Sequence, residues 1–463
     1  MKRTVKGLWR FFLCDPLPLK AAFTAVMLFA AVPTLHAYIG GYIRVFLVWG
    51  AAVAVNDLVC GRRVFRQRGW WLLALFTLSY CLTVFLNRGT TAISVNLSGL
   101  LYMLLFFFVL YPSGPEEAER ELPVLARVFT AVTALLCIAC LVTYLWDIRY
   151  VDQTGESPVV IGVYENRLYG LYNCNTGSTL NMLSSLFSVL LLRRGVKRWE
   201  KICLSVNLAL QYICLVLTLS RAAWYMYLVC AVLTVYLMLP RLPLGRRWLA
   251  EGTQALLAVA AAGLLLLLSG PVKLGMAYLP PLIRTAGFSV SAALGSSSPY
   301  DGTPTSPVPA ERIEDFNKVS VFSEREKLWE GGWETIKEHP LFGVSGAGLY
   351  DGAAPHTDKS MWRHLKRGGL HNMPLTVLVC SGGVGAAVMA LFLILVNRRV
   401  LRAVWRRRGT GAPVIGVGIL LAGILGCELM EARLLYSTTV FGCVFWILQG
   451  YAVSLAEARN EAA

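Results

Sequence analysis

Charged residues are scarce in this chain. Asp, Glu, Lys and Arg make up 15% of its 463 residues, whereas hydrophobic residues make up 56%. Soluble proteins contain about 25% charged residues, and a soluble fold of this length cannot bury so much apolar surface. The composition therefore excludes an ordinary soluble enzyme and indicates an integral membrane protein.

Residue patterns that hold metal ions are also missing. The sequence contains no Asp-x-Asp pair and no combination of Cys and His with the spacing of a zinc site. Eleven of the 12 cysteines fall in or beside apolar runs or near the predicted inner face, where they behave as small apolar residues. We therefore expect no metal, no cofactor and no disulfide framework.

Apolar runs long enough for a membrane-spanning helix, about 20 residues, are abundant. They lie near residues 20–38, 40–60, 70–86, 91–111, 123–146, 173–192, 202–219, 222–239, 249–271, 371–396, 413–430 and 434–455. We predict an all-α integral membrane protein with about twelve transmembrane helices, between eleven and thirteen.

Basic residues indicate the orientation, because Lys and Arg are retained on the cytoplasmic side of a membrane. With a cytoplasmic N-terminus, 26 of the 43 basic residues fall on the inner side, six in short outer loops and 11 in a long outer segment. This predicts nine helices in 1–271, one large extracytoplasmic loop with short helices in 272–370, and three helices with a cytoplasmic tail in 371–463. The net charge of +16 follows from this pattern and from attraction to membrane lipids, without a nucleic-acid partner.

Two groups of polar residues fall at the predicted outer surface. Arg167, Asn173 and Asn175 precede the sixth span, where they could orient a phosphate or sugar, or serve as an interfacial Arg and two helix caps. Residues 202–239 form a nearly continuous apolar run of roughly 57 Å as a helix, broken at its midpoint by Ser220-Arg221. A charge at such a tight turn is costly unless it has an anionic partner, so Arg221 is a candidate functional residue.

The long outer loop divides into two parts. Residues 287–309 are rich in Ser, Gly, Pro and Thr, which predicts a flexible linker. Ser323-x-x-Glu326 is a capping box that predicts a helix running to about Glu338. A Gly-rich turn follows the helix, but it has neither the strand nor the Lys-Ser/Thr of a phosphate-binding loop.

One face of this predicted helix carries aromatic residues. Arg325, Trp329, Trp333 and Ile336 follow at spacings of four, four and three. We expect this face to lie on the membrane surface or on the transmembrane bundle. A cation in the first turn of a helix is disfavoured by the helix dipole, so Arg325 is explained either by a bound anion or by solvation.

His371-Asn372 begins the apolar run that follows the long loop. Histidine has an unperturbed pKa close to neutral, so a histidine at a wet membrane boundary is a candidate proton acceptor. The alternative is an interfacial histidine that caps a helix.

Four motifs occur in order along the chain. They are Arg167-x-x-Gly170-x-x-Asn173-x-Asn175, Leu219-Ser220-Arg221, Arg325-x-x-x-Trp329 leading to His339-Pro340-Leu341-x-Gly343-x-x-Gly346, and His371-Asn372 leading to Gly382-x-x-Gly385. Together they resemble the signatures of the O-antigen ligase and polymerase superfamily, whose polytopic bacterial members transfer a glycan from a polyprenyl diphosphate carrier. The resemblance covers roughly residues 160–390, and it departs at Cys174, where family members commonly carry Pro.

The resemblance implies a metal-independent glycosyltransferase at the outer face of the bacterial cytoplasmic membrane. Arg221 and Arg325 would hold the departing diphosphate, and His371 would accept the proton of the acceptor hydroxyl. The residues expected to bind substrate are Arg167, Asn173, Asn175, Asn372, Trp329 and His339. The donor would be a polyprenyl diphosphate-linked glycan, and the acceptor a lipid, a wall polymer, a protein or a glycan.

Two alternatives stay open. A polysaccharide polymerase of the same superfamily would use the same donor with a growing glycan as acceptor, although the complete His-Asn motif favours a ligase. The other alternative is a glycolipid transporter or flippase, which belongs to a different functional class from the transferases. Transporters tend to show internal repeats and charged residues at the bilayer midplane, whereas the candidate residues here gather at one surface.

The predicted orientation leads to a topology test. A reporter fused within 287–309 should be extracytoplasmic, and reporters in 193–201 and 397–412 should be cytoplasmic, because basic residues concentrate in the latter two segments. Paired alkaline phosphatase and green fluorescent protein fusions measure the side directly. Phosphatase activity at 193–201 with none at 287–309 would reverse the orientation.

Overall fold

The computed structural model describes residues 7, 9–61, 63–152, 159–164, 167–240, 243, 246–285 and 325–458. In these ranges the protein is mainly helical. The helices are α1 (Leu17–Ala30), α2 (Pro33–Gly61), α3 (Trp70–Leu86), α4 (Ile93–Leu110), α5 (Pro115–Leu145), α6 (Cys174–Leu192), α7 (Arg198–Thr218), α8 (Arg221–Met238), α9 (Arg247–Thr285), α10 (Arg325–Glu338), α11 (Leu349–Ala353), α12 (Trp362–Gly368), α13 (Met373–Arg406), α14 (Pro413–Glu428) and α15 (Val440–Glu457).

The predicted spans coincide largely with single helices, except that the first one, 20–38, contains the end of α1 and the start of α2. By length and composition, α2, α4, α5, α7, α8, α9, α13 and α15 could cross a membrane. The apolar helices α1, α3 and α14 have 14, 17 and 16 residues, and α6 is rich in Ser, Thr and Asn. A helical membrane protein with eight candidate spanning helices in the described ranges is thus confirmed, and the count of twelve stays a prediction.

The buried helices α6 and α15 form the centre of the bundle. Fifteen of the 19 residues of α6 are buried. Ser184 of α6 accepts hydrogen bonds from Thr133 of α5 (2.7 Å) and from Asn207 of α7 (3.1 Å). Polar side chains inside a bilayer pair between helices because lipid offers them no partner. The polar residues of α6 therefore fix its position in the bundle, and with it the position of its N-terminus.

A small sheet between α5 and α6 corrects the all-α prediction. Strands β1 (Arg149–Asp152), β2 (Val159–Tyr164) and β3 (Arg167–Gly170) form an antiparallel meander in the order β1-β2-β3. Arg149 pairs with Gly162, which pairs with Gly170 across a bulge. The β-branched run of β2 suits a strand, and Val160 and Leu168 pack one face of the sheet onto the bundle.

The described part of the long loop has a hydrophobic core of its own. It is built by α10, α11, α12 and the start of α13, with the buried residues Leu328, Val344, Ala353, Ala354, Met361, Leu365, Leu370 and Val379. The predicted helix ends at Glu338 as expected. Its predicted cap Ser323 and the linker 287–309 lie outside the described residues.

The buried face of α10 coincides only in part with the predicted aromatic face, because Trp329 and Ile336 pack against the loop core and Trp333 does not. Its buried residues are Leu328, Gly331, Gly332 and Thr335, whereas Trp333 is 54% exposed. The two glycines explain the difference, since a Cβ at Gly331 would collide with Thr357 and one at Gly332 would lie 2.8 Å from Leu370. The helix packs closely through its small residues, and this turns Trp333 outward.

The backbone of the segment after α10 crosses α13 at a break in that helix. Gly382 has φ 63° and ψ −175°, which interrupts α13. Val344 N donates to Val379 O (2.9 Å), and Gly383 N donates to Pro340 O (2.7 Å). These bonds satisfy backbone groups that the break releases. The Gly-rich turn therefore serves close backbone packing: a Cβ at Gly343 would lie 2.7 Å from Gly382 N.

The crossing makes Gly382 sensitive to substitution. Gly382→Ala should lower the midpoint of thermal unfolding, because its backbone conformation costs a non-glycine residue about 1–3 kcal/mol and the new Cβ would collide with Leu341. Size-exclusion chromatography after heating in detergent measures the midpoint. Gly263→Ala in α9 is the control, since nothing lies within 4 Å of its added Cβ. Equal midpoints for both variants would contradict the crossing.

Candidate active site

Several helix ends converge on one carboxylate. Glu431 lies between α14 and α15, and its side chain is 12% exposed. Its Oε1 accepts a hydrogen bond from Asn175 Nδ2 (3.0 Å) and lies 3.3 Å from Arg325 Nη2. Its Oε2 lies 3.0 Å from His371 Nδ1. Three predicted site residues that are distant in sequence thus meet here, and we call Asn175, Arg325, His371 and Glu431 the Glu431 cluster.

Strand β3 and the start of α6 supply the first side of the cluster. Asn173 caps α6 by accepting a hydrogen bond from Asn175 N (3.0 Å). Arg167 donates from Nε to Thr218 O (3.0 Å), and its Nη2 lies 3.4 Å from Asn175 Oδ1. Arg167 therefore links the sheet, α6 and the end of α7, and its charge lies one side chain away from Glu431.

The turn between α7 and α8 forms the second side of the Glu431 cluster. Leu219 has φ 51°, a left-handed conformation that is uncommon for residues other than Gly. It lets the chain turn tightly without a Gly or Pro. Ser220 Oγ donates a hydrogen bond to Asn175 Oδ1 (3.1 Å). Arg221 follows as the first residue of α8 and is half-buried. The predicted break at this point is a tight turn, and it carries Arg221 next to a residue that contacts the cluster.

Helix α10 supplies the third side through its first residue. Arg325 Nη1 donates to Met430 O (2.7 Å), so its guanidinium contacts both the backbone and the carboxylate of the segment between α14 and α15. Trp329 lies one turn further along and donates from Nε1 to Leu370 O (3.0 Å). This bond ties α10 to the residue before His371, which explains why Arg325 and His371 reach the same carboxylate.

The backbone around His371 is strained and closely packed. His371 has φ 50°, and its ring lies so close to the Gly368 backbone that a Cβ at Gly368 would collide with Nε2. Asn372 caps α13 by accepting a hydrogen bond from Leu375 N (2.9 Å), and its Nδ2 lies 3.3 Å from Leu429 O. The capping function thus belongs to Asn372, and the His371 side chain, 20% exposed, turns towards Glu431.

Sequence reasoning missed Glu431. No motif contains it, but a signal was present in Glu428-x-x-Glu431-x-Arg433: Glu428 lies near the end of the apolar run 413–430, and Glu431 and Arg433 lie in the short outer loop before the run 434–455. Charged residues that close to a membrane are costly and therefore suggest a function. The structure shows the partners that compensate them.

Electrostatic interactions keep Glu431 ionised. Burial by itself raises its pKa, but the hydrogen bond from His371 and the charges of Arg433, His371 and Arg325 outweigh burial and lower the pKa to about 2. An ionised carboxylate only accepts hydrogen bonds. When the His371 imidazole is neutral, Nδ1 therefore carries the hydrogen of the shared bond, and Nε2 is the ring nitrogen with a lone pair.

Arg433 adds a further positive charge beside the cluster. Its Nε pairs with Glu428 Oε1 (2.8 Å), its Nη2 lies 3.4 Å from Thr179 Oγ1, and its guanidinium lies 3.8 Å from the centroid of the Phe441 ring. Arg325 and Arg433 act on the Glu431 carboxylate, and Arg167 lies one side chain away from it through Asn175. Cationic side chains thus surround this carboxylate, an arrangement that suits an anionic ligand.

One predicted substrate-binding residue lies apart. His339 follows the last residue of α10 and is exposed. Fourteen residues separate it from Arg325, about 20 Å along the helix. The structure therefore places His339 at the opposite end of α10 from the Glu431 cluster, and its role stays a prediction.

The fold and the cluster define a polytopic membrane protein with a cationic site at one end of its helix bundle. Residues 206–390 match the family model described as O-Antigen ligase. The resemblance to the O-antigen ligase superfamily is confirmed on this part of the chain, which contains Arg221, Arg325 and His371. Arg167, Asn175 and Glu431 lie outside the match. No curated protein matches the chain.

Because Glu431 is ionised in the folded protein, the free energy of unfolding depends on pH. A fall in its pKa from near 4.5 to about 2 corresponds to about 3 kcal/mol of stabilisation. Because the pKa is lower in the folded state, this stabilisation is complete above about pH 4.5 and is lost as the pH falls towards 2. Glu431→Gln should therefore unfold at a lower temperature than the unsubstituted protein at pH 7, and the gap should narrow at pH 3.

Thermal unfolding of both proteins in detergent, measured across this pH range, checks the prediction. Glu330→Gln, at an exposed position in the middle of α10, should match the unsubstituted protein at each pH. A gap between Glu431→Gln and the unsubstituted protein that stays constant from pH 7 to pH 3 would show that the Glu431 charge does not stabilise the fold.

Proposed function

We propose that this protein is a glycosyltransferase that moves a glycan from a polyprenyl diphosphate carrier to an acceptor hydroxyl at the outer face of the cytoplasmic membrane. The family match supports a membrane function of the O-antigen ligase or polymerase type. The observation that carries the finer proposal is the Glu431 cluster, which combines a cationic site with a histidine held by a carboxylate.

The arginines suit the departing diphosphate. Guanidinium groups stay charged at all relevant pH values and bind phosphate oxygens with paired donors. Arg325 belongs to the cluster, and Arg221 follows Ser220, whose hydroxyl contacts Asn175 of the cluster. We propose that the diphosphate lies between these two arginines. Their charges would stabilise the leaving group without a metal ion. We therefore propose metal-independent transfer.

The histidine suits the acceptor. In the proposed step, the acceptor oxygen attacks the anomeric carbon while the bond from that carbon to the diphosphate oxygen breaks. The hydroxyl proton passes to His371 Nε2, and the bonding electrons leave with the diphosphate. Glu431 holds the tautomer that leaves Nε2 free to accept and stabilises the imidazolium that forms, as a carboxylate does in a catalytic triad. A single displacement of this kind inverts the anomeric centre.

The positions of these groups favour the outer face. The N-termini of α6, α8 and α13 and the C-termini of α7 and α14 lie at one end of the bundle. The concentration of Lys and Arg in the loops at the other end supports an outer location for this end. The His-Asn motif favours a ligase over a polymerase, and the acceptor stays open among a lipid, a wall polymer, a protein and a glycan.

Substitutions should separate the two roles. Arg325→Ala should weaken donor binding about 10- to 100-fold, because charge-assisted hydrogen bonds contribute about 1.5–3 kcal/mol, and Arg325→Lys should recover part of it. His371→Gln should retain donor binding but lose about 100- to 10,000-fold in turnover, the range supplied by general base catalysis. Transfer by purified protein in lipid nanodiscs, from an undecaprenyl diphosphate-linked glycan to a panel of acceptors, measures both quantities.

The matched control is Arg363→Ala, an exposed arginine of α12, which should leave binding and turnover unchanged. Addition of EDTA should also leave turnover unchanged. Substantial turnover by His371→Gln would refute the general-base role, and a strict need for a divalent cation would refute metal-independent transfer.

A further inference from the structure

Trp333 is a large apolar side chain on the open side of α10. Its side chain is 54% exposed, whereas Leu328, Gly331 and Thr335 pack the opposite side of the helix into the loop core. Trp333 takes part in neither the Glu431 cluster nor the loop core. Exposed aromatic side chains of this size commonly mark binding surfaces.

Helix geometry relates Trp333 to the candidate active site. At 100° per residue, Trp329 lies about 40° and Trp333 about 80° around the helix from Arg325, so the three residues form one oblique row. Trp333 lies about 12 Å further along the axis than Arg325. This is the length of a few sugar rings. A glycan whose diphosphate lies at Arg325 could therefore reach Trp333 by running along α10.

The charges around Trp333 argue against a membrane surface as its partner. Glu330 and Lys337 lie three residues before and four residues after it, positions that adjoin it on the helix surface. Glu326, Glu330 and Glu338 are exposed on α10. Helices that lie on membranes carry Lys and Arg on their polar face, and anionic headgroups repel carboxylates. The composition of this face suits an uncharged, hydroxyl-rich ligand.

On the basis of the proposed function, we infer that Trp333, Glu330 and Lys337 form a subsite for a sugar ring of the donor glycan, beyond the sugar that carries the diphosphate. The indole face packs against the C–H face of a pyranose ring. The Glu330 carboxylate accepts hydrogen bonds from sugar hydroxyls, and the Lys337 ammonium, 2.6 Å from Glu334 Oε1, donates to them. The subsite strengthens the binding of donors whose glycan is long enough to reach Trp333, and it takes no part in bond breaking.

Two donors of different length test this subsite. One carries a single sugar on undecaprenyl diphosphate, and the other carries a glycan of several repeat units. Trp333→Ala should raise the KM of the long donor about 2- to 12-fold, the loss expected for one aromatic contact, and leave its kcat and both constants of the short donor unchanged. Trp333→Phe should recover part of the loss, and Glu330→Gln should raise only the KM of the long donor.

The control is Trp199→Ala, which removes an exposed tryptophan at the start of α7, at the predicted inner end of the bundle. It should leave both donors unchanged. An equal loss for both donors in Trp333→Ala would mean that Trp333 anchors α10 in the membrane or supports the fold, and no loss for either donor would mean a solvated side chain. Either result would overturn the proposal of a sugar subsite at Trp333. Failure of the unsubstituted protein to use either donor would instead refute the proposed function.

Discussion

The Glu431 carboxylate holds the candidate site together through its hydrogen bonds and ion pairs. Asn175 of α6, Arg325 of α10 and His371, which precedes α13, all reach the segment between α14 and α15. Without a shared anion, these polar and cationic groups would lie together at a membrane boundary with little to compensate their charge. A single ionised carboxylate pairs with an amide, a guanidinium and an imidazole. It thereby fixes the position of Arg325 and the tautomer of His371 by the same contacts.

Backbone contacts around Gly382 also hold Arg325 and His371 in position. The break at Gly382 lets the segment after α10 cross α13, and the released amide and carbonyl groups bond to that segment. Thr83 of α3 donates to Phe342 O (2.7 Å) in the same segment, so the crossing is also tied to the transmembrane bundle. Because α10 and the start of α13 share one hydrophobic core, Arg325 and His371 are held by a common support and not by two independent loops.

Sequence reasoning was accurate where a local pattern decides the structure. The apolar run 70–86 is helix α3, the helix after the linker ends at Glu338, and the break at Ser220 is a turn, since length, capping and a charge in an apolar run are local signals. It failed where distant contacts decide. The close packing of Gly331 and Gly332 on Thr357 and Leu370 turns Trp333 outward. Glu431 belongs to the site only because the segment between α14 and α15 brings it next to Arg325 and His371.

The proposed mechanism requires the Glu431 cluster to hold the diphosphate of a lipid-linked donor beside a hydroxyl acceptor. Electron cryomicroscopy of the protein in a lipid nanodisc, with a non-transferable phosphonate analogue of the donor, would show where the donor binds. We expect diphosphate density within hydrogen-bond distance of Arg221 and Arg325, with the anomeric carbon on the side facing His371 Nε2. Diphosphate density at the basic inner end of the bundle, or at the outer end but away from both arginines, would contradict this mechanism.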